Sequence, residues 1–215
     1  MVFFNKTRAL VFGIGFILIG LGCVIYGTLV KIELNKPAVD LYDANTDWTQ
    51  FRMNQHVELD LDFLIDPYMV FEDDKGKETS RVYTIPDLIV ADDGMVYMSH
   101  FIGVAVTSND FDKFDKIVSN SWEWWNDEEG TVEFGKDTVH LDGYLRKASS
   151  NDKKFMKEYL HDMGYSDDEI AQMYRPYVLM TNGSSMKGVI LAGAFMFVLG
   201  VASLIYAIFR FIQGR

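Results

Sequence analysis

Three features of the 215-residue sequence predict an α+β fold in which two terminal transmembrane helices flank one extracytoplasmic domain, its mainly antiparallel sheet packed by helices. Two charge-free apolar runs bracket the chain, from Ala9 to Val30 and from Gly188 to Phe209, each 22 residues long. Between them, alternating strand-like segments dominate the first part of the middle region. Helical periodicity then enters in separate blocks, without the repeated strand-helix-strand rhythm of a parallel dinucleotide-binding sheet.

As a helix, each 22-residue run is about 33 Å long at about 1.5 Å per residue, against about 30 Å of hydrocarbon. Neither run has the polar face that a surface helix of a small soluble domain needs. Lys6 and Arg8 precede the first run as in a signal peptide, but the apolar stretch continues through Cys23 to Val30 without a persuasive small-residue cleavage site. A retained anchor is expected. In this span Gly13, Gly20 and Gly27 recur every seven residues. In the second, Gly188, Ala192 and Gly200 share a face with Met196. Small residues so placed let helices approach closely, so self-association or pairing with another membrane protein is expected beside the lipid bilayer itself. No ionisable residue interrupts either run, which argues against an ion or proton path.

The division expected is a cytoplasmic tail at 1–8, spans at 9–30 and 188–209, a membrane-proximal lead at 31–54, a folded domain at 55–180, a linker at 181–187 and a second tail at 210–215. Lys6 and Arg8 on one side and Arg210 and Arg215 on the other place both termini in the cytoplasm by the positive-inside rule, and so locate the protein in the plasma membrane with its central domain outside. That middle region, from Lys31 to Lys187, holds 16 of the 20 basic residues and all 31 acidic ones, a net −15. Such a charge opposes contact with nucleic acid or anionic lipid. The single cysteine, Cys23, lies in the first span, so the domain must hold together by packing alone.

Within the domain, the lead carries Pro37 and the polar run DLYDANTDWTQ and reads as irregular. HVELDLDF, residues 56–63, alternates strictly, with Val57, Leu59, Leu61 and Phe63 on one side and His56, Glu58, Asp60 and Asp62 on the other. A turn at Gly76 leads into a short strand RVYTI that Pro86 ends. A second turn at Asp92, Asp93 and Gly94 precedes two strands, near 95–99 and 101–106. Phe111, Phe114, Ile117, Val118, Trp122 and Trp125 then mark one face of a helix over 109–125 that covers the sheet, with Trp124 displaced from that face. TVEF at 131–134 and TVHLDGYL at 138–145 return to strand pattern. A helix through 153–164 follows, and Ser166 with Glu169 forms a capping box for a third helix that Pro176 bends or ends before YVLM leads to the second span.

The order resembles two-span membrane proteins of Gram-positive bacteria, without assigned activity, that display a small α+β domain between terminal helices; the likeness rests on the whole arrangement and on YTIPDLI, YMSHFIGVAV and SDDEIAQMYRPYVL in that order. It implies a bacterial membrane location and no residue roles.

Chemistry is sparsely signalled. His56, His100, His140 and His161 are scattered, without a compact metal-ligand spacing. DANTDW begins like a calcium loop, but Trp48 replaces the turn glycine and position twelve falls on Asn54, which excludes an EF-hand. Asp60 and Asp62 would need a facing carboxylate cluster to bind a divalent ion. Ser99 and His100 are adjacent, but neighbours on a regular strand point to opposite faces and make no nucleophile-base pair. No catalytic residue, metal or cofactor is therefore expected. Asn182, Gly183 and Ser184 form a glycosylation acceptor pattern. In SWEWWNDEEG the displaced Trp124 is the candidate for recognition of a partner or membrane surface, with helix-end packing as the alternative. The function expected is a non-catalytic, membrane-anchored interaction, accessory or sensory subunit. The alternative is an extracytoplasmic enzyme, a hydrolase using dispersed carboxylates or histidines.

Overall fold

The computed structural model describes residues 6–92, 94–181 and 185–213. The glycosylation pattern at Asn182–Ser184 and the basic Arg215 lie outside the described residues. The chain divides into two compact units, one built by the terminal helices and one by Lys36–Thr181.

Helices α1 (Lys6–Leu34) and α5 (Ser185–Ile212) are both long and apolar enough to cross a membrane. Their outer surface carries Phe12, Leu18 and Ile25 on one helix and Leu191, Phe195 and Val198 on the other, all exposed. Helices apolar all round have no face suited to water. The two run antiparallel, packed through a seven-residue repeat on each side. A methyl group added to Gly13 would lie 3.0 Å from the Gly200 carbonyl oxygen, and one added to Gly27 would lie 2.6 Å from Ile190 Cγ1. On α5 the buried repeat is Met186, Gly193, Gly200 and Ala207. Gly188 and Ala192 lie off this seam: Ala192 is exposed, and a methyl group on Gly188 would touch nothing. The repeat that governs close approach thus runs through Gly193, which is one position beyond Ala192 and five beyond Gly188.

The central unit carries a seven-stranded sheet in the order β1-β2-β6-β7-β5-β4-β3. The strands are β1 (Val39–Asp40), β2 (His56–Leu61), β3 (Ile65–Glu72), β4 (Glu78–Val90), β5 (Val96–Thr107), β6 (Val139–Lys147) and β7 (Tyr174–Met180). The β1–β2 and β5–β7 pairings are parallel and the other four antiparallel. The helices are α2 (Phe111–Trp125), α3 (Ser150–Asp162) and α4 (Asp167–Met173), and both α3 and α4 begin with a capping box, from Ser149 and Ser166.

Connectivity forces this sheet to curl. β2 and β3 stand five positions apart in the strand order, about 24 Å in a flat sheet at about 4.8 Å per strand. Leu61 and Ile65, where one ends and the other begins, cannot be more than about 14 Å apart along an extended chain. The sheet bends around α2, whose Phe114, Ile117 and Val118 join Leu59, Ile85, Ile102 and Leu145 in one buried cluster. On the outer side, Met156 and Leu160 of α3 and Ile170 of α4 pack with Phe63, Phe101 and Val178 in a second.

Several strand boundaries depart from the sequence reading. Pro86 does not end its strand: β4 continues to Val90, because β3 pairs no further than Thr84 and the missing proline N–H leaves no ladder bond unmade on that side. The two strands expected near 95–99 and 101–106 are one, Val96–Thr107. TVEF is a loop, its Val132 amide donating to Asp127 Oδ2 at 2.6 Å instead of to a neighbouring strand. Phe63 leaves the side of Val57 and Leu61 for the second cluster, since β2 stops at Leu61. Pro176 neither bends nor ends a helix. It lies inside β7, where the register against β5 shifts between Tyr174 and Val178, and its carbonyl accepts the Ala148 amide at 2.8 Å. Irregular pairing of this kind is where a strand tolerates proline. The lead is not wholly irregular, since it supplies β1 and a short 3-10 helix, Trp48–Gln50, with Trp48 buried.

Candidate functional site

One irregularity in the β4–β5 pairing builds the most chemically concentrated part of the domain. Asp87 pairs with His100 and Leu88 with Met98, leaving Ser99 as an extra residue on β5. A bulge of this kind breaks alternation. Its effect is visible in the packing, because Met98 and Phe101, three positions apart, both enter the second cluster. Ser99 and His100 therefore share the opposite face. The expectation that these neighbours point apart is corrected here: Ser99 Oγ and His100 Nδ1 are 3.0 Å from each other.

Both side chains converge on one carboxylate oxygen. Ser99 Oγ donates to Asp87 Oδ2 at 2.5 Å, and His100 Nδ1 lies 3.2 Å from the same atom. All three side chains are part-buried. This is not the order that activates a nucleophile, in which the hydroxyl proton goes to one imidazole nitrogen while a carboxylate orients the other. Here the serine proton is committed to the carboxylate, and a single imidazole nitrogen faces both partners. The group ties the bulge together.

Beyond this tie, β4 and β5 form a two-stranded arm. β3 pairs with β4 only as far as Thr84, and β7 with β5 only from Phe101, so residues 87–90 and 96–100 pair with each other alone. The tip is closed by bonds from the Ala91 amide to the Met95 carbonyl and from the Gly94 amide to the Ala91 carbonyl. Gly94 has φ +81°, which a side chain would strain. The arm is apolar and unburied: Ile89 is 48% exposed, Val90 73%, Met95 58% and Tyr97 45%.

One side of the arm walls a cleft of about 640 Å³. Leu88, Ile89 and Val90 line it from the arm, Leu41, Tyr42 and Trp48 from the lead, and Phe134 from the loop after α2, with Asp43, Asp62 and Asp87 as its acids. Trp48 is fixed by its indole N–H to the Leu41 carbonyl at 3.1 Å. Asp43 is held in a turn by the Asn45 amide at 2.8 Å, which keeps its carboxyl below the usual range. Asp62 is pushed up by burial and then by the charge of Asp60. The Tyr42 hydroxyl is buried without a hydrogen-bond partner among the described residues, and its proton is held tightly by burial and by the charges of Asp62, Asp87 and Asp40. Such an orphan costs about 1–3 kcal/mol.

The remaining sequence candidates are dispersed. Trp124 packs edge-on against Phe63, with centroids 5.8 Å apart, and lies 4.7 Å from Phe134. Trp125, assigned by periodicity to the buried face, is 36% exposed, because the loop after α2 folds Phe134 back onto Trp124 instead. His56 sits against the Lys36 carbonyl at 2.7 Å and Asp142 at 3.1 Å, and His140 against Asp60 at 2.8 Å. Among the described residues no three His, Cys, Asp or Glu side chains converge as metal ligands. Asp47 caps the 3-10 helix through the Thr49 amide. Tyr42 and Asp87 escape a reading by motif, because a chain-distant cleft has no sequence spacing. The one local signal was the unusual Ser-His pair in an otherwise apolar strand.

A family described as Domain of unknown function (DUF8577) matches residues 5–213. No curated protein matches the chain.

Proposed function

The chain belongs to the DUF8577 family across nearly its whole length, and from that premise and its own geometry we propose that it is a membrane-anchored, non-catalytic interaction, accessory or sensory subunit displaying an acidic extracytoplasmic domain. The observation that carries this reading is the arm, which bears exposed apolar side chains on both faces and at its tip, Ile89 and Tyr97 on one face, Val90 on the other and Met95 at the turn, in a domain of net negative charge. A contiguous apolar patch on a soluble domain marks a contact surface. Trp124, half-buried against Phe134 of the cleft wall, is the second candidate recognition contact.

Lys6, Arg8 and Arg210 support an orientation with both termini in the cytoplasm and Lys36–Thr181 outside a plasma membrane. The outer faces of α1 and α5, Gly188 and Ala192 included, are then available to other spans. A photo-crosslinking residue at Val90 tests the proposal in native membranes. Adducts to a defined membrane or surface protein are expected from Val90 and not from Lys153 on α3; recovery of monomer alone from both positions sinks it. Protease added to sealed cells should cut the middle region, and full protection would reverse the orientation.

The rival is a membrane-bound hydrolase using dispersed carboxylates or histidines, and the proximity of Ser99 to His100 gives it one place to be tested. A fluorophosphonate probe that labels Ser99 would support that rival. No labelling is expected, because the hydroxyl proton is given to Asp87.

A further inference from the structure

Leu88, Ile89 and Val90 are consecutive on β4, and all three line the cleft of about 640 Å³ beside the arm. Consecutive strand residues point their side chains to opposite faces, so a cleft bounded by all three lies along the edge of the strand and not against one face. Hydrogen-bonding parity fixes what that edge offers. Ala91 is turned toward β5, its amide donating to the Met95 carbonyl, and at the other end of the pairing the Thr79 carbonyl accepts from the Ser108 amide. Backbone groups alternate sides along an antiparallel strand, so the odd-numbered residues of β4 bond to β5 while Leu88 and Val90 turn away from it. β3 reaches β4 only as far as Thr84, and Pro86 has no N–H. Leu88 and Val90 are therefore the first residues on this edge with both amide and carbonyl to offer, and among the described residues neither residue's backbone is hydrogen-bonded.

Across the cleft the lead satisfies its own backbone. The Tyr42 amide donates to Asp40 Oδ1, the Thr46 amide to the Asp43 carbonyl and the Thr46 hydroxyl to the Asp40 carbonyl. It is a wall and not a second edge. Natural sheets blunt an exposed edge with lysine or other charged side chains; no basic residue lines this cleft, whose charged side chains are Asp43, Asp62 and Asp87.

We propose that the free edge of β4 takes up, as an added strand, an extended segment of a partner protein in which apolar residues alternate with lysine or arginine. The proposal rests on the partner-binding reading of the arm and names the chemistry of the partner. In strand addition the main chain supplies affinity and alternate side chains supply specificity. One face of the added strand lies beside Leu88 and Val90 and takes apolar side chains. The other lies beside Asp87 and Ile89 and takes basic ones, whose carbon stems cover Ile89. A second copy of this chain is the poorer occupant, since it would set two regions of net −15 against each other.

Residues 87–90 span about 13 Å at about 3.3 Å per residue, which a six-residue peptide covers. Titration calorimetry of the full-length protein in phosphatidylcholine nanodiscs, with acetyl-(Lys-Val)3-amide as probe, tests the proposal. Saturable one-site binding is expected, and acetyl-(Glu-Val)3-amide should not bind. N-methylation of the valines removes one alternate set of peptide amides and N-methylation of the lysines the other. Only one set faces β4, so one methylated peptide should lose binding and the other keep it: the valine set for an antiparallel strand, the lysine set for a parallel one. Val90→Pro should weaken binding about tenfold, because the edge loses a donor and gains a ring, and Val90→Thr, which keeps the N–H, should weaken it less. Asp87→Asn should weaken it about two- to fivefold, the range of one cross-strand charge pair. Thermal unfolding of each variant separates loss of the site from loss of the fold; proline is tolerated at an edge position whose N–H serves no ladder. Absence of saturable binding, equal binding of the acidic peptide, loss of binding by both methylated peptides or by neither, or undiminished binding in folded Val90→Pro overturns the proposal. A Val90 crosslink joining two copies of the chain overturns it in favour of self-pairing. A Val90 crosslink to another protein, with no binding of the peptide, refutes strand addition and leaves the partner-binding reading standing.

Discussion

Gly20 and Gly193 bring the backbones of α1 and α5 into direct contact: a methyl group on Gly20 would lie 2.6 Å from the Gly193 carbonyl oxygen, and one on Gly193 would lie 2.8 Å from the Gly20 carbonyl oxygen. Backbone atoms cannot rotate out of the way as a side-chain end can. In a bilayer, where burial of apolar surface gives helices no reason to associate, this closeness is the source of the packing energy.

Gly20→Ala and Gly193→Ala should therefore each destabilise the helix pair by about 1–3 kcal/mol, the usual cost of overpacking. Gly15→Ala and Gly188→Ala, where an added methyl group meets nothing within 4 Å, should be neutral or slightly stabilising. Thermal unfolding of the full-length protein in detergent measures the contrast, and equal effects at all four positions would refute the seam.

Deleting Ser99 should leave the fold intact. Met98 and Phe101 already face the same side across the bulge, so removing the extra residue restores regular alternation without moving either. The expected loss is about 1.5–3 kcal/mol, from the hydrogen bond to the Asp87 carboxylate. A native-like circular dichroism spectrum with a lowered Tm is the predicted result; an unfolded chain would mean that the bulge itself is required.

Asp62→Asn should stabilise the domain at neutral pH. Burial and the neighbouring Asp60 raise the Asp62 carboxyl above its ordinary 3.8. A raised acid disfavours the ionised folded state, so the penalty is absent below the unfolded value and complete above the folded one. The Tm gain of the variant should be largest near neutrality and shrink as the pH falls towards 4.

His56 should make the domain more stable on the acid side of neutrality. Burial works against its charge, but the Lys36 carbonyl and Asp142 outweigh that and raise it above 6.5. The contribution is fully present below the unfolded value and is lost as the pH rises through the folded one. Asp142→Asn should flatten the change in Tm between mildly acidic and mildly alkaline buffer, and an unchanged slope would show that the pair carries no linkage. His140, raised by Asp60, titrates in the same direction.

Periodicity carried the sequence reading wherever one element decided its own burial. Phe114, Ile117 and Val118 lie on one face of α2 because a helix has to hide one stripe, and Ser166 with Glu169 caps α4 because both partners lie within one turn. Strand alternation identified β2 as far as Leu61, and it failed at Phe63 because the chain turns there toward a partner at the far end of the sheet. β3 and β7 were not recognised. Proline at 67 and 176 masks them, and the irregular registers that tolerate proline depend on strands distant in sequence.

By itself the sequence determined that this chain has two membrane-length apolar helices around one acidic α+β domain, since length, charge and period are local properties. Only the tertiary structure decided which glycines meet, that Gly193 rather than Ala192 faces α1, and that Ser99 and His100 share a side. It also decided that Tyr42, Asp62 and Asp87 enclose one cleft. Those relationships depend on register between segments far apart in the chain, and a shift of one residue in register reverses which side chains meet.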